Sequence, residues 1–341
     1  MEINEMMQAF IFIALLAMAE WIYLRIADKL NIIDKPNLRS SHSIPVVRGG
    51  GIIFPISWLL YSIWNGMAFP WFTAGLLLIS TISFLDDMRP LSASKRFLAH
   101  LVSFALFFTE IGLWTAWPWW LLLLAFILCI GAINAFNFMD GINGITGMYA
   151  LATFIPIAHF IDGGIVKGAQ SLASPILPML YAILIFGFYN FRKRARCFAG
   201  DVGSISLGFI LIFILMMIMT GHDRDLGLRI PDASGQEWKY ILFFSVYGVD
   251  SVLTILQRIY QKENIFEAHR KHLYQYMANE SGIPHLYISM AYALIQFGIN
   301  MYVIANPISQ IGFLFIITTQ VIAYAILKYG IIRKVSMTTQ E

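Results

Sequence analysis

Eleven apolar runs constrain this chain more than any other feature. They lie at about 5–25, 48–65, 68–85, 97–116, 117–136, 145–161, 170–190, 203–220, 238–258, 285–305 and 309–328. A helix that crosses a bilayer needs roughly 20 apolar residues, and most of these runs approach that length. Such a pattern leaves little room for a soluble fold. Apolar residues make up 58% of the 341, and charged residues only 13%, where soluble domains carry roughly 25%. The expected architecture is an all-α, polytopic integral membrane protein with about eleven transmembrane helices. It forms one domain over 1–341, because no connection is long enough for a second.

The first run reads as a span rather than a cleavable signal. Met1 to Met7 contains Glu2 and Glu5 but no Lys or Arg, and no small-residue cleavage site follows. Pro55, Pro156 and Pro178 fall inside runs and are expected to kink their helices. Two cysteines, Cys129 in a run and Cys197 in a basic loop, suggest neither a disulfide nor a zinc site.

Basic residues give the orientation, since Lys and Arg concentrate in cytoplasmic loops. With the N-terminus outside, 19 of the 23 fall inside, among them Arg48, Lys95, Arg192 and Arg270. Only Lys167, Arg224, Arg229 and Lys239 fall outside. The expectation is N-terminus outside and C-terminus inside.

The acids then point to one membrane face. Asp86 and Asp87 end the third run, Asp140 follows the fifth, and Asp201 precedes the eighth. All lie on the cytoplasmic side, with His269 and His272 in the loop after the ninth. Carboxylates, histidines and basic groups converging there suit metal-assisted chemistry on a phosphorylated substrate.

In FLDDMRPLSASKRF, the acidic pair can hold Mg²⁺ or act as a base, and Lys95 can meet phosphate; a solvated helix end is the plainer reading. In NAFNFMDGINGITG, Asn134, Asn137 and Asp140 share a face if the helix continues. Gly141 and Gly144 then break the helix and offer backbone N–H groups to a nucleobase or phosphate. In CFAGDVGSISLG, Asp201 can hold Mg²⁺, Ser204 can cap the next helix, and Phe198 can stack on a base. In EAHRKHLYQYM, His269 and His272 share a helix face beside Arg270 and Lys271, which suits phosphate; a basic helix lying on acidic lipid is the alternative. KPNLRSSHSIPVVRGGG, with Arg39, His42 and Arg48, reads mainly as a basic topogenic loop.

Together these motifs resemble the polyprenyl-phosphate N-acetylhexosamine-1-phosphate transferases, glycosyltransferase family 4, over roughly 34–276. LDD at 85–87, NAFNFMDG at 134–141 and FAGDVGS at 198–204 stand in the family's order, and HRKHLYQ looks most like the O-antigen-initiating branch. The resemblance implies transfer of an N-acetylhexosamine-1-phosphate from a UDP-sugar to undecaprenyl phosphate, with release of UMP. It implies catalytic roles for Asp86, Asp87 and Asp201, with Asp87 deprotonating the lipid phosphate. It implies substrate binding by Lys95, Asn134, Asn137, Asp140, Asn143, Phe198, His269, Arg270 and His272. Asp201 and Asp140 would hold the metal, Mg²⁺ with Mn²⁺ as the alternative ion. Asn143 departs from the pattern, since many members carry Asp there. The expected location is the bacterial inner membrane, multi-pass. Expected partners are both substrates, membrane lipid and, as an open alternative, a second copy of the chain. Nothing points to nucleic acid.

The rival reading is a transporter or flippase of lipid-linked sugars. Its mark would be several ionisable groups along a path through the bilayer. The sequence offers Asp250 inside a run, with Glu20 and Glu110 near run ends.

Overall fold

The computed structural model describes residues 2–36, 41–42, 44–161, 172–228, 237–265, 267 and 269–338. Each apolar run becomes a helix, in order. They are α1 Glu2–Lys29, α2 Ile53–Trp64, α3 Pro70–Met88, α4 Ala93–Glu110, α5 Trp119–Met139, α6 Ile145–Ala158, α7 Ile176–Asn190, α8 Gly200–Met219, α9 Ser245–Tyr260, α10 His285–Ala305 and α11 Gln310–Thr338. Among the described residues, seven helical segments are long and apolar enough to cross a membrane. Three others, Gly50–Trp64, Ile145–Ala158 and Ile176–Asn190, are apolar but shorter.

α8 is apolar all round, as a helix at the centre of a bundle must be. In its span 94% of residues are buried, and it packs on α3, α5 and α2. Aromatic rings fill the space around it. Phe72 stacks on Phe213 at 3.8 Å between centroids, and Trp58 and Phe107 meet Phe213 edge-on. α11 is the opposite case, with 6% of its span buried. Its apolar face is left almost uncovered by the rest of the chain, which is the ordinary state of a peripheral membrane helix.

Backbone polar groups inside a bilayer need partners from the protein. That demand explains the polar residues in the core. α9 is preceded by a 3₁₀ segment, Glu237–Phe244, so the expected run is broken near its middle. The break frees backbone groups, and Gln296 of α10 takes two of them. It donates to Leu242 O at 2.9 Å and accepts from Val246 N at 3.1 Å. The Tyr149 hydroxyl lies 3.1 Å from Phe243 O. Glu110 serves the start of α3 in the same way, accepting from Phe72 N at 2.9 Å.

Two expected kinks do not form. Pro55 and Pro178 sit in the first turns of α2 and α7. A helix loses no hydrogen bond there. Pro156 alone lies inside its helix, close to the end of α6. Both cysteines are free and buried.

Five of the exposed tryptophans gather at one end of the bundle. Trp64, Trp71, Trp114, Trp119 and Trp120 are all exposed and flank the α2–α3 and α4–α5 connections. Short connections make successive helices antiparallel, so these residues share an end. Such a belt is the signature of a membrane–water interface. Asp86, Asp87, Asp140 and Asp201 lie at the other end.

Candidate functional site

The loop between α1 and α2 is the frame of the site. Strands β1, Ile33–Asp34, and β2, Val46–Val47, pair antiparallel, with Ile33 opposite Val47. The chain then runs alongside the segment that enters α8. Phe198 N donates to Val47 O at 2.8 Å, Gly50 N to Phe198 O at 2.8 Å, and Gly51 N to Ala199 O at 3.0 Å. The approach is so close that a Cβ on Gly51 would sit 2.2 Å from the Gly203 Cα. Only glycine tolerates that contact.

This ladder brings Arg48 onto two acids distant in sequence. Its Nε lies 2.7 Å from Asp87 Oδ1 and its Nη2 lies 3.0 Å from Asp201 Oδ1. Asp87 also accepts from Asp201 N at 2.8 Å and Val202 N at 3.0 Å. Those are first-turn N–H groups of α8, which have no partner within the helix. Asp87 therefore caps α8 from another helix. Ser204, the expected cap, lies inside α8, where its hydroxyl donates to Gly200 O and accepts from Asn137 Nδ2, both at 3.1 Å.

A cleft of about 400 Å³ opens beside this cluster. Asn137, Asp140, Phe198, Asp201 and His269 line it, so residues from three of the motifs meet there. Arg48, His42, Asp34, Asn190, Tyr274 and Gln275 also line it. Asp140 leaves the helix just after α5, and its Oδ1 accepts from the Thr146 hydroxyl at 2.6 Å. Burial pushes the Asp140 carboxyl up to about 7, against the lowering effect of that hydrogen bond. The Phe198 ring meets the His42 ring edge-on at 4.9 Å.

The other expected residues do not line the cleft themselves. The Asp86 carboxyl lies against that of Asp201; it accepts from Leu91 N at 2.5 Å and pairs with Arg96 at 3.1 Å. Asp87 is enclosed, with its side chain 0% exposed. Lys95 is exposed at the start of α4. Asn134 turns back to its own helix and donates to Ile130 O at 2.7 Å. The helix continues through both Asn134 and Asn137, so they share a face, but Asn134 does not line the cleft. Asn143 is buried, and its amide donates to Arg192 O at 2.9 Å, which fastens two loops together. The glycine N–H groups expected to meet a ligand are taken: Gly141 N by Met139 O and Gly144 N by Asn190 Oδ1. Arg270 lies 3.9 Å from Glu280 and is about half exposed.

The histidine loop is not the helix that its spacing suggested. Residues 269–271 are irregular, and His272 caps a short helix, Leu273–Gln275. The two rings still lie 5.0 Å apart. His269 Nδ1 accepts from Lys271 N at 3.3 Å, so neutral His269 carries its proton on Nε2. Burial, then the nearby His272 and Arg258, lower its pKa to about 4.

Arg48, Asn190 and Tyr274 were missed or undervalued in the sequence. Asn190 joins two motif loops, since it accepts from Gly144 N at 2.7 Å and donates to Cys197 O at 2.8 Å. Its signal was a polar residue at the very end of an apolar run. Tyr274 donates to Phe138 O at 2.9 Å beside Gly141, whose missing side chain makes room for it.

Among the described residues, no three His, Cys, Asp or Glu side chains form a group able to hold a metal by themselves. Asp140 and Asp201 both line the cleft. That donor set fits Mg²⁺, which takes one or two carboxylates and completes its shell with water and substrate phosphate.

Fold and site together define a polytopic helical membrane protein with an acidic, polar cleft at one end. The family model described as glycosyl transferase family 4 matches residues 69–219. That segment runs from the start of α3 through α8 and carries three of the motifs. A Bacillus subtilis protein named "Probable undecaprenyl-phosphate N-acetylglucosaminyl 1-phosphate transferase" is 27% identical over 322 residues, 88% of this chain and 80% of its own. Phospho-N-acetylmuramoyl-pentapeptide-transferases from two strains of Streptococcus thermophilus are 34% identical over 97 residues, 28% of this chain and 24% of theirs. Residues 69–219 thus match glycosyl transferase family 4.

Proposed function

We propose that this protein transfers an N-acetylhexosamine-1-phosphate from a UDP-sugar to undecaprenyl phosphate, releases UMP, and so starts an O-antigen or similar cell-envelope polysaccharide. The observation that carries this reading is the single cleft in which Asn137, Asp140, Phe198, Asp201 and His269 meet. The relatives' names agree with it.

The polar cleft receives the nucleotide sugar. Phe198 offers a face for the uracil, and Asn137 offers an amide. His269 supplies a neutral N–H donor to phosphate. Asp201 and Asp140 hold Mg²⁺, which offsets charge between the two phosphorylated substrates when bound. The lipid phosphate oxygen forms a bond to the β-phosphorus, and the bond to the UMP oxygen breaks. A phosphate monoester has a second pKa of about 6 and is mostly dianionic at neutral pH. It therefore needs little help from a base, which is compatible with an enclosed Asp87.

The protein crosses the bacterial inner membrane eleven times, with the N-terminus outside and the cleft in the cytoplasm. The basic loops support this orientation. The transporter reading gains no support from Asp250, which is enclosed by hydrogen bonds rather than set along a path.

Purified protein, undecaprenyl phosphate and a panel of UDP-N-acetylhexosamines test the proposal. UMP release from at least one donor, lost with EDTA and restored by Mg²⁺, is the expected result. Folded protein that releases no UMP from any donor would overturn it.

A further inference from the structure

Asp250 of α9 is an enclosed acid outside the cleft. It is 1% exposed, on a helix that also buries Arg258. Its Oδ1 lies 3.2 Å from His272 Nδ1 and accepts from Leu273 N at 3.0 Å and the Thr254 hydroxyl at 3.2 Å. Its Oδ2 accepts from the Tyr292 hydroxyl at 2.8 Å. Behind Thr254, the Tyr324 hydroxyl follows at 3.0 Å and Lys328 Nζ at 2.5 Å from Tyr324. Three elements thus bond one carboxylate, and α11 backs Thr254.

That investment has a beneficiary. With Asp250 on Nδ1, the His272 ring is locked in one orientation and leaves Nε2 for another partner. His272 is 2% exposed, and Nε2 has no hydrogen-bond partner among the described residues. A buried ring nitrogen without a partner is costly, and such groups in native folds call for an explanation. A ligand supplies one here. The His272 ring lies 5.0 Å from His269 and 5.7 Å from Tyr274, and both of those line the cleft.

We propose that Asp250 is a positioning residue: held on Nδ1, it orients His272 so that Nε2 faces a diphosphate oxygen of the nucleotide sugar. This rests on the transferase reading for the ligand's chemistry. Tyr292 and Thr254 fix Asp250, Lys328 bonds Thr254 in turn, and His269 and Tyr274 flank the ring.

Calorimetric titration of the purified full chain with UDP and Mg²⁺, beside UMP-release kinetics, tests the proposal. Asp250→Asn and His272→Gln should each weaken UDP binding and raise the UDP-sugar KM by about tenfold or more, as loss of an orienting carboxylate does elsewhere. The undecaprenyl-phosphate KM should stay within about twofold, and the double variant should be no worse than His272→Gln alone. Additive losses, or a fall in kcat with UDP binding intact, would overturn the positioning role. If Asp250→Asn does not yield monodisperse protein, Tyr292→Phe replaces it. It should weaken UDP binding in the parent and have no effect in the His272→Gln background; equal effects in both overturn the proposal. UDP binding that depends on Asp250 without UMP release from any donor would defeat the transferase reading alone. A parent protein that does not bind UDP would defeat this inference.

Discussion

Asp87 caps the helix that carries Asp201, accepting the N–H groups of Asp201 and Val202 at 2.8 and 3.0 Å. One member of the acidic pair thus builds the position of the acid that lines the cleft. The Gly200 backbone, at φ +70°, makes this approach possible, since a Cβ there would sit 2.6 Å from Asp87 Oδ2. Asp87→Ala should lower stability by about 1–2 kcal/mol or more, because it removes a cap and leaves buried N–H groups unpaired. Asp86→Ala should cost less, because its partner Arg96 is nearly half exposed. Thermal melting in detergent compares the two; equal shifts would refute the capping role.

Arg48 spans Asp87 and Asp201 with two separate nitrogens. Lysine carries the charge but is a single point donor and cannot reproduce that fork. Arg48→Lys should therefore fall well short of rescue, with UMP release reduced about tenfold or more, as Arg48→Ala should be. Parent-like turnover in Arg48→Lys would show that only the charge matters.

How far the sequence reveals this protein depends on the range of the interaction. Helix order was legible because a bilayer-length apolar run needs no partner to declare itself. The gathering of Asn137, Asp140 and Asp201 was legible because each follows or precedes such a run on one side. The Arg48 clamp was not, because it joins positions 48, 87 and 201, and no local pattern encodes a contact of that span. Asn143 looked like a ligand residue because Asn beside Gly suits either a binding loop or a loop fastener. Only the Arg192 carbonyl decides between them. The break before α9 was hidden because its repair, Gln296, lies more than 50 residues later.

Orientation can be checked independently of chemistry. A C-terminal reporter active in the cytoplasm, and inactive when it would need export, is expected from the basic loops. A reporter active only outside would overturn both the orientation and the placement of the cleft.

His269 gives a pH signature. Its folded pKa is about 4, below the ordinary 6.5. Between those values the unfolded chain takes up a proton that the folded protein refuses. Stability from this group is therefore complete above about pH 6.5 and is lost as pH falls toward about 4. His269→Gln removes the titration, keeps an N–H donor and should flatten this part of the acid sensitivity. Melting temperatures at about pH 7 and about pH 4.5 should differ less in His269→Gln than in the parent. On the proposed function, the neutral ring would donate to phosphate through Nε2–H rather than as a charge. His269→Gln should then raise the UDP-sugar KM less than His269→Leu, which leaves the partner unpaired. Equal acid sensitivity in parent and His269→Gln would show that the histidine is not held neutral, and equal KM values for Gln and Leu would show that it donates nothing.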